Sequence, residues 1–500
     1  MNNSNKKVMI LSIITIATFI ILIAGASYAF FQAQVGDASV VDISINANTV
    51  DTFTFFTGDP ISVSLDQDNF ATGAGNLSGA TTATATLTAN NKTNNVTEHY
   101  YLYLNIEKNT YTYSIDESTP EILLTVTDSS GNEITDISGL THVTAGGVSG
   151  YDITTKSGLI TILNNREITT TSKIEEKWNI KITFINYDKD QSDNAGNSMS
   201  AKVIIQKEII PTNVSEVCSN GSSLASCITN LADNSDSSLT YLYYHDGTLA
   251  NGISDNSYRY AGASSSVNNY VCFGSDAETC PADNLYRIIG VIDGKVKLIK
   301  STSLGSMAWD SNKKNTWSTS SINTYLNGTY LESFTDTWKE KIATTTWKVG
   351  GNTYANIYKV VAATTYANEI TSPNPGSTST TGETESSSKI ALMYASDYGF
   401  AASPTAWTII LNNYDVNDSA GTSITTNNWL YLDSDEWLVS RYSDTSDRAF
   451  FVLSSGYVYA RYVTDSYAVR PVFFLESNVT YSGGKGTSSS PIRIGVSASE

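Results

Sequence analysis

The chain has 500 residues, room for two or three domains, and its 49 acidic against 30 basic residues give a net charge of −19. That balance speaks against nucleic-acid binding, which needs Lys and Arg to displace counterions along phosphates. With 3 His and 4 Cys, most zinc, haem and iron–sulfur architectures lack ligands, so neither a metal nor a cofactor is expected.

Lys6 and Lys7 precede an apolar run from Val8 to Ala26. As a helix that run spans roughly 28 Å, close to the hydrocarbon thickness of a bilayer. Basic residues ahead of it keep that end in the cytoplasm and send the rest outside. Ala26-Ser27-Tyr28-Ala29 places small residues where a signal peptidase cleaves, before Phe30. Residues 1–29 therefore read as a signal peptide or as a retained transmembrane helix in the membrane. The bulk is expected at the cell surface or secreted.

The cysteines lie as two close pairs, Cys218/Cys227 and Cys272/Cys280. These spacings suit neither a metal site nor a Cys-x-x-Cys redox site. In an oxidising exterior, two local disulfides are expected, with free thiols or crossed pairing as the alternatives.

Residues 30–209 read as strands with polar turns: Ser39–Asn46, His99–Glu107, Glu121–Thr127, Trp178–Tyr187 and Ala201–Glu208. Short strands without long helical windows predict an antiparallel β-sandwich or jelly roll. Asp188, Asp190 and Asp193 suggest calcium, but an EF-hand would need Glu where Met199 stands, so a polar hairpin loop is expected. With Ile23-Ala-Gly-Ala-Ser-Tyr-Ala-Phe-Phe31 ahead of it, the region resembles exported Gram-positive proteins handled by a SipW-type signal peptidase, among them biofilm-matrix fibre subunits and camelysins. That resemblance implies export and, as one option, a fibre that grows by strand addition. The proteolytic activity described for camelysins is not carried over, because no His-Glu-x-x-His occurs.

Pro211 marks a boundary, and residues 210–254 read as a linker or neck with one disulfide. Beyond residue 240 lie 22 of the 30 Tyr and 7 of the 8 Trp. Leu285–Ile292, Asp293-Gly294 and Lys295–Lys300 form a β-hairpin signal. Ser318–Ile342 carries Leu326, Leu331, Phe334, Trp338 and Ile342 at helical spacing, which predicts two helices broken at Asn327-Gly328. Thr371–Ser388 is low in complexity and is expected as a flexible surface insertion, residues 371–388.

Asn268–Gly274, Asn284–Gly290, Ala391–Gly399, Glu436–Ser440 and Tyr467–Leu475 are similar to segments of a domain found in surface proteins of gut Firmicutes. That domain resembles C-type-lectin-like folds of the formylglycine-generating-enzyme type. The resemblance implies an α+β C-type-lectin-like head over residues 255–500, with Arg470 tying strands together through buried hydrogen bonds. It does not imply the enzyme, because the late strands hold no copper-binding cysteine pair. His245 stands alone near this domain, and Asp433, Asp435 and Glu436 read as a solvated acidic cluster, so no catalytic residues are expected and an extracellular glycoside hydrolase is the remaining alternative.

A binding face is expected instead. Alternation over Tyr457–Val463 puts Tyr457, Tyr459 and Arg461 outward, and Val458, Ala460 and Tyr462 inward. Tyr and Arg dominate binding hot spots. Arg441, Tyr442, Tyr457, Tyr459, Arg461 and Tyr467 are therefore the expected ligand-binding set, for a protein or glycan outside the cell. The whole chain is expected to be mainly β: an adhesive surface protein with a lectin-like head on a β-sandwich stalk.

Overall fold

A computed structural model describes residues 51–70, 73–90, 94–372 and 382–496. The apolar run Val8–Ala26, the cleavage site before Phe30 and the expected strand Ser39–Asn46 lie outside the described residues. Among those described, no helix is long and apolar enough to cross a membrane. The chain is mainly β and divides into two units, Met1–Ile209 and Ile210–Glu500.

Alternation builds the first unit. Its strands are β1 (Thr52–Thr57), β2 (Ile61–Ser64), β3 (Leu77–Thr88), β4 (Val96–Asn109) and β5 (Ile122–Asp128). There follow β6 (His142–Ala145), β7 (Val148–Asp152), β8 (Gly158–Thr170), β9 (Lys173–Phe184) and β10 (Ser198–Gln206). Two antiparallel sheets result, in the orders β1-β3-β9-β5-β7-β6 and β2-β10-β4-β8. Every second residue enters one shared core: Ala83, Ala85 and Leu87 from β3, Ile180, Ile182 and Phe184 from β9, Met199, Ala201, Val203 and Ile205 from β10. Each buried Ile or Leu contributes about 1.5–3 kcal/mol. This is the expected sandwich, with more strands than the sequence showed.

One carboxylate lies inside this core. Glu121 is fully buried and accepts from the backbone of Ser114 and Ile115, from Gln191 Nε2 at 2.7 Å and from Asn194 Nδ2 at 3.0 Å. Gln191 and Asn194 belong to the loop that suggested calcium. Its aspartates serve backbone instead, Asp190 accepting from Ser192 and Asp188 from Gly73. The loop is a polar clasp.

The second unit begins earlier than expected. Residues 210–254 are no free neck, because Val214, Leu224, Cys227, Ile228 and Leu242 join its main core. Cys218 pairs with Cys227 and Cys272 with Cys280, both locally, with Cα–Cα distances of 5.5 and 5.8 Å. The hairpin Leu285–Ile292/Lys295–Lys300 forms as expected, and Asp293 and Gly294 both take positive φ in its turn. A late strand, Val472–Phe474, inserts between Lys295–Lys300 and Ile390–Ala391. A further sheet runs Ser306–Ala308, Ser466–Ala468, Glu436–Tyr442, Arg448–Val452 and Val458–Tyr462.

Two local expectations need correction. Asn327-Gly328 does not break the helical stretch: helical turns run from Ser321 to Ser333, and the break falls at Phe334, whose backbone is extended. The Asn327 amide both donates to and accepts from the Ile390 backbone, so it is spent on anchoring a strand rather than on a turn. The insertion 371–388 is not all loop either. Glu385–Ser388 is a strand paired with Thr345–Lys348, whereas residues 373–381 lie outside the described ones.

Candidate functional site

The strand Val458–Tyr462 stands at the edge of its sheet and pairs only with Arg448–Val452 among the described residues. Gly456 makes the turn before it at φ 108°, and a Cβ there would sit 2.2 Å from Thr425 Cγ2. The hydroxyl of Tyr398 donates to the Gly456 carbonyl at 2.6 Å and fixes that turn. Glycine is required at this corner, and the strand after it is held from below.

Val458 and Ala460 are buried, as alternation demands, while Tyr457 and Tyr459 are half-buried and Arg461 is exposed. Tyr462 breaks the expected pattern. It ends the strand, is 47 % exposed, and carries the Arg448 guanidinium 4.7 Å above its ring.

Tyr459 is the centre of a panel that the sequence did not show. Its ring stacks on Tyr354 at 5.3 Å and meets Tyr358 edge-on at 5.6 Å, with Tyr457 at 6.4 Å. Tyr354 in turn contacts Tyr442 at 4.5 Å. Arg448 donates to the hydroxyls of Tyr354 and Tyr462, and the Arg461 guanidinium lies 5.7 Å from the Tyr459 ring. Burial pushes the phenols of Tyr354 and Tyr358 up, and burial with the Asp444 carboxylate pushes that of Tyr442 up to about 12. With its stacked rings and the Arg448 and Arg461 guanidinium groups, the panel is a surface that stacks and donates hydrogen bonds.

Three members of the expected set are placed otherwise. Arg441 is buried, and its guanidinium donates to the carbonyls of Val349 and Glu383, because its strand runs parallel to Gly351–Asn352. It is a strut. Tyr442 is buried as the panel's floor, with its hydroxyl on Asp444. Tyr467 rests on Trp437 and Phe451, at 4.7 and 4.6 Å, and is no part of the tyrosine cluster. Arg441 and Tyr442 lie in the buried strand Glu436–Tyr442 and Tyr467 in Ser466–Ala468, not in loops that frame the face.

The acidic cluster also differs from its reading. Glu436 is 2 % exposed and takes two hydrogen bonds of 2.7 Å from Arg470, which also donates to the Leu430 carbonyl. Arg470 thus ties strands together as expected, and Glu436 is its missed partner.

A second concave feature lies elsewhere in this unit. Arg259, Lys297 and Asp397 line a recess of about 140 Å³ together with Trp347, Tyr366 and Phe474. Lys297 Nζ is 2.5 Å and Arg259 Nη1 3.1 Å from the Asp397 carboxylate, and all three side chains are buried. Burial opposes ionisation of Asp397, but the two cations beside it hold its carboxyl below the usual range.

No curated protein and no solved structure matches the chain. Residues 293–477 match the family model described as Domain of unknown function (DUF6273), and that stretch carries every ring of the tyrosine panel.

Proposed function

We propose that the protein is a non-enzymatic binding protein of the cell surface, whose second unit is a C-type-lectin-like head that presents the tyrosine panel to an extracellular glycan or protein. The first unit serves as its stalk. The observation that carries this reading is the contiguous set Tyr354, Tyr358, Tyr457 and Tyr459 with Arg448 and Arg461 at its rim. Rigid aromatic rings give contact area at low entropy cost, and guanidinium groups add directed donors. Two local disulfides suit an oxidising exterior. Glycan and protein arrays probed with the full chain test the reading: a ligand should be captured, and Tyr457→Ala with Arg461→Ala should release it. Capture that ignores both substitutions overturns it.

One observation favours a second reading, a fibre or matrix subunit built by strand addition. The edge strand β1 reads Thr-Phe-Thr-Phe-Phe-Thr, without charge or proline, and Phe56 is 55 % exposed. Among the described residues β1 pairs only with β3. Unprotected edges of this kind accept another strand. Electron microscopy of concentrated protein separates the two readings, since fibres that vanish with Phe56→Lys would favour the second.

A further inference from the structure

The recess around Lys297 combines buried donors without acceptors, paired charges and aromatic walls. Lys297 carries three N–H groups and Arg259 five. Asp397 takes one from each, and Arg259 gives one more to Ser257 and one to Asp255. Four of the eight therefore have no acceptor among the described residues, although both side chains are buried. The faces of Tyr394, Trp347 and Phe474 lie 4.7, 5.8 and 5.6 Å from Lys297 Nζ, and Tyr366 lies 5.5 Å from the Arg259 guanidinium. These rings soften the deficit without supplying lone pairs. Buried donors in such a state favour any occupant that brings oxygen acceptors.

Charge decides which occupant. The two cations face the carboxylates of Asp397 and Asp255, Asp293 lines the recess as well, and the buried Glu369 acts on Lys297 through its charge. At the rim, Lys348 is paired with Glu385. An added anion would meet the Asp397 carboxylate with no spare cation to balance it, and an added cation would meet Lys297 and Arg259. A neutral molecule meets neither cost.

Shape narrows it further. The volume of about 140 Å³ is below the roughly 300–1,000 Å³ of pockets for drug-sized ligands. It admits one ring rather than an extended chain. Trp347, Tyr366 and Phe474 offer ring faces, Thr345 and Thr346 add hydroxyls at the edge, and among the described residues Asp397 Oδ1 accepts only from Arg259. A molecule that fits has an apolar face for stacking and a perimeter of hydroxyls that both accept and donate.

We propose that this recess is a binding site for a single uncharged sugar ring. The ring oxygens take the free N–H groups of Lys297 and Arg259, one hydroxyl donates to Asp397 Oδ1, and a C–H face lies on the aromatic wall. The site is separate from the tyrosine panel and does not rest on the panel's role.

Saturation-transfer NMR and titration calorimetry with the full chain test it. The probes are glucose, galactose, mannose and N-acetylglucosamine, with benzoate as the anionic ring of similar size. At least one sugar should bind with one site per chain, and benzoate should not. Thr346→Trp, an exposed position at the mouth, should weaken sugar binding at least about tenfold with an unchanged melting temperature. Lys297→Met should do the same if it folds, and the mouth variant decides the matter if it does not. Loss of sugar binding through Thr346→Trp, a residue of the recess and not of the panel, keeps this test apart from that of the panel. Binding of benzoate alone, binding of none of the probes, or sugar binding indifferent to Thr346→Trp would overturn the proposal.

Discussion

Arg166 and Glu176 of the first unit meet at 2.7 Å with the arginine side chain 46 % exposed, whereas Arg470 and Glu436 of the second meet at the same distance with side chains 3 % and 2 % exposed. The contrast runs through both units. Lys202–Glu107 and Lys207–Glu98 lie on the surface of the first, while Arg259, Lys297 and Asp397 lie inside the second. Among its described residues the first unit has no ion pair in its core and is held by alternating aliphatic strands. The second uses buried ion pairs as rivets between segments far apart in sequence. A surface pair contributes about 1 kcal/mol or less, but losing one partner of a buried pair leaves a charge stranded.

Breaking that rule should show the largest effect. Arg470→Met should destabilise the second unit by about 3–5 kcal/mol, and Arg166→Met should cost the first no more than about 1 kcal/mol. Urea unfolding followed by tryptophan fluorescence reports the second unit, which holds seven of the eight Trp. Equal losses in the two variants would erase the contrast.

The first unit has its own weak point in packing. Ile182→Ala, fully buried in β9, should cost about 2–5 kcal/mol. Amide exchange should show the loss confined to residues of that unit. Reducing Cys272–Cys280, whose loop is short, should remove about 2–3 kcal/mol from the second unit on the chain-entropy model.

A buried histidine sharpens the comparison through pH. His245 is fully buried between Phe400 and Trp407, with no hydrogen-bond partner for either ring nitrogen among the described residues. Burial first, then the Arg259 charge, brings its pKa down to about 3 from the usual value near 6.5. The folded state thus binds fewer protons than the unfolded one between those values. The stability His245 contributes is full above pH 6.5 and is lost as pH falls, by up to about 1.4 kcal/mol per pH unit. His245→Phe should flatten that part of the stability profile of the second unit. An unchanged slope would assign the acid sensitivity to other groups.

The smallest effects belong to the panel. Tyr457→Ala and Arg461→Ala should change stability by within about 0.5 kcal/mol, yet each should weaken ligand capture by about 1–2 kcal/mol. Tyr459→Ala should cost more stability than either, because its ring is stacked on Tyr354. Thermal melts of the three variants rank them.

These differences also explain what the sequence could show. Where strands alternate aliphatic residues, as at Trp178–Tyr187, periodicity locates the strand. It missed β3, whose inward residues are largely Ala among Thr and carry little hydrophobic contrast. In the second unit it finds the hairpin and the outward position of Arg461, whereas Tyr457 and Tyr459 are half-buried. It could not find Tyr354 and Tyr358, whose spacing is an ordinary helical or turn pattern until the fold sets them against a strand a hundred residues later. Nor could it place Arg441 or Glu436, because whether a charge lies inside depends on a distant partner. Arg470 is named by the family resemblance rather than by periodicity, and it lies between the strands Ser466–Ala468 and Val472–Phe474 rather than within one.

The late insertion of Val472–Phe474 carries a consequence for how the chain reaches this state. Its partners begin at Lys295 on one side and at Ile390 on the other, so the middle of that sheet stays empty until almost the whole chain is available. High contact order of this kind slows folding and leaves edges unpaired meanwhile. During synthesis the first unit can close on its own, while the hairpin Leu285–Lys300 must wait with one side open. Truncation before residue 472 should therefore yield a persistent, aggregation-prone intermediate rather than a smaller stable head, and any helper the protein recruits on its way to maturity is needed in that interval.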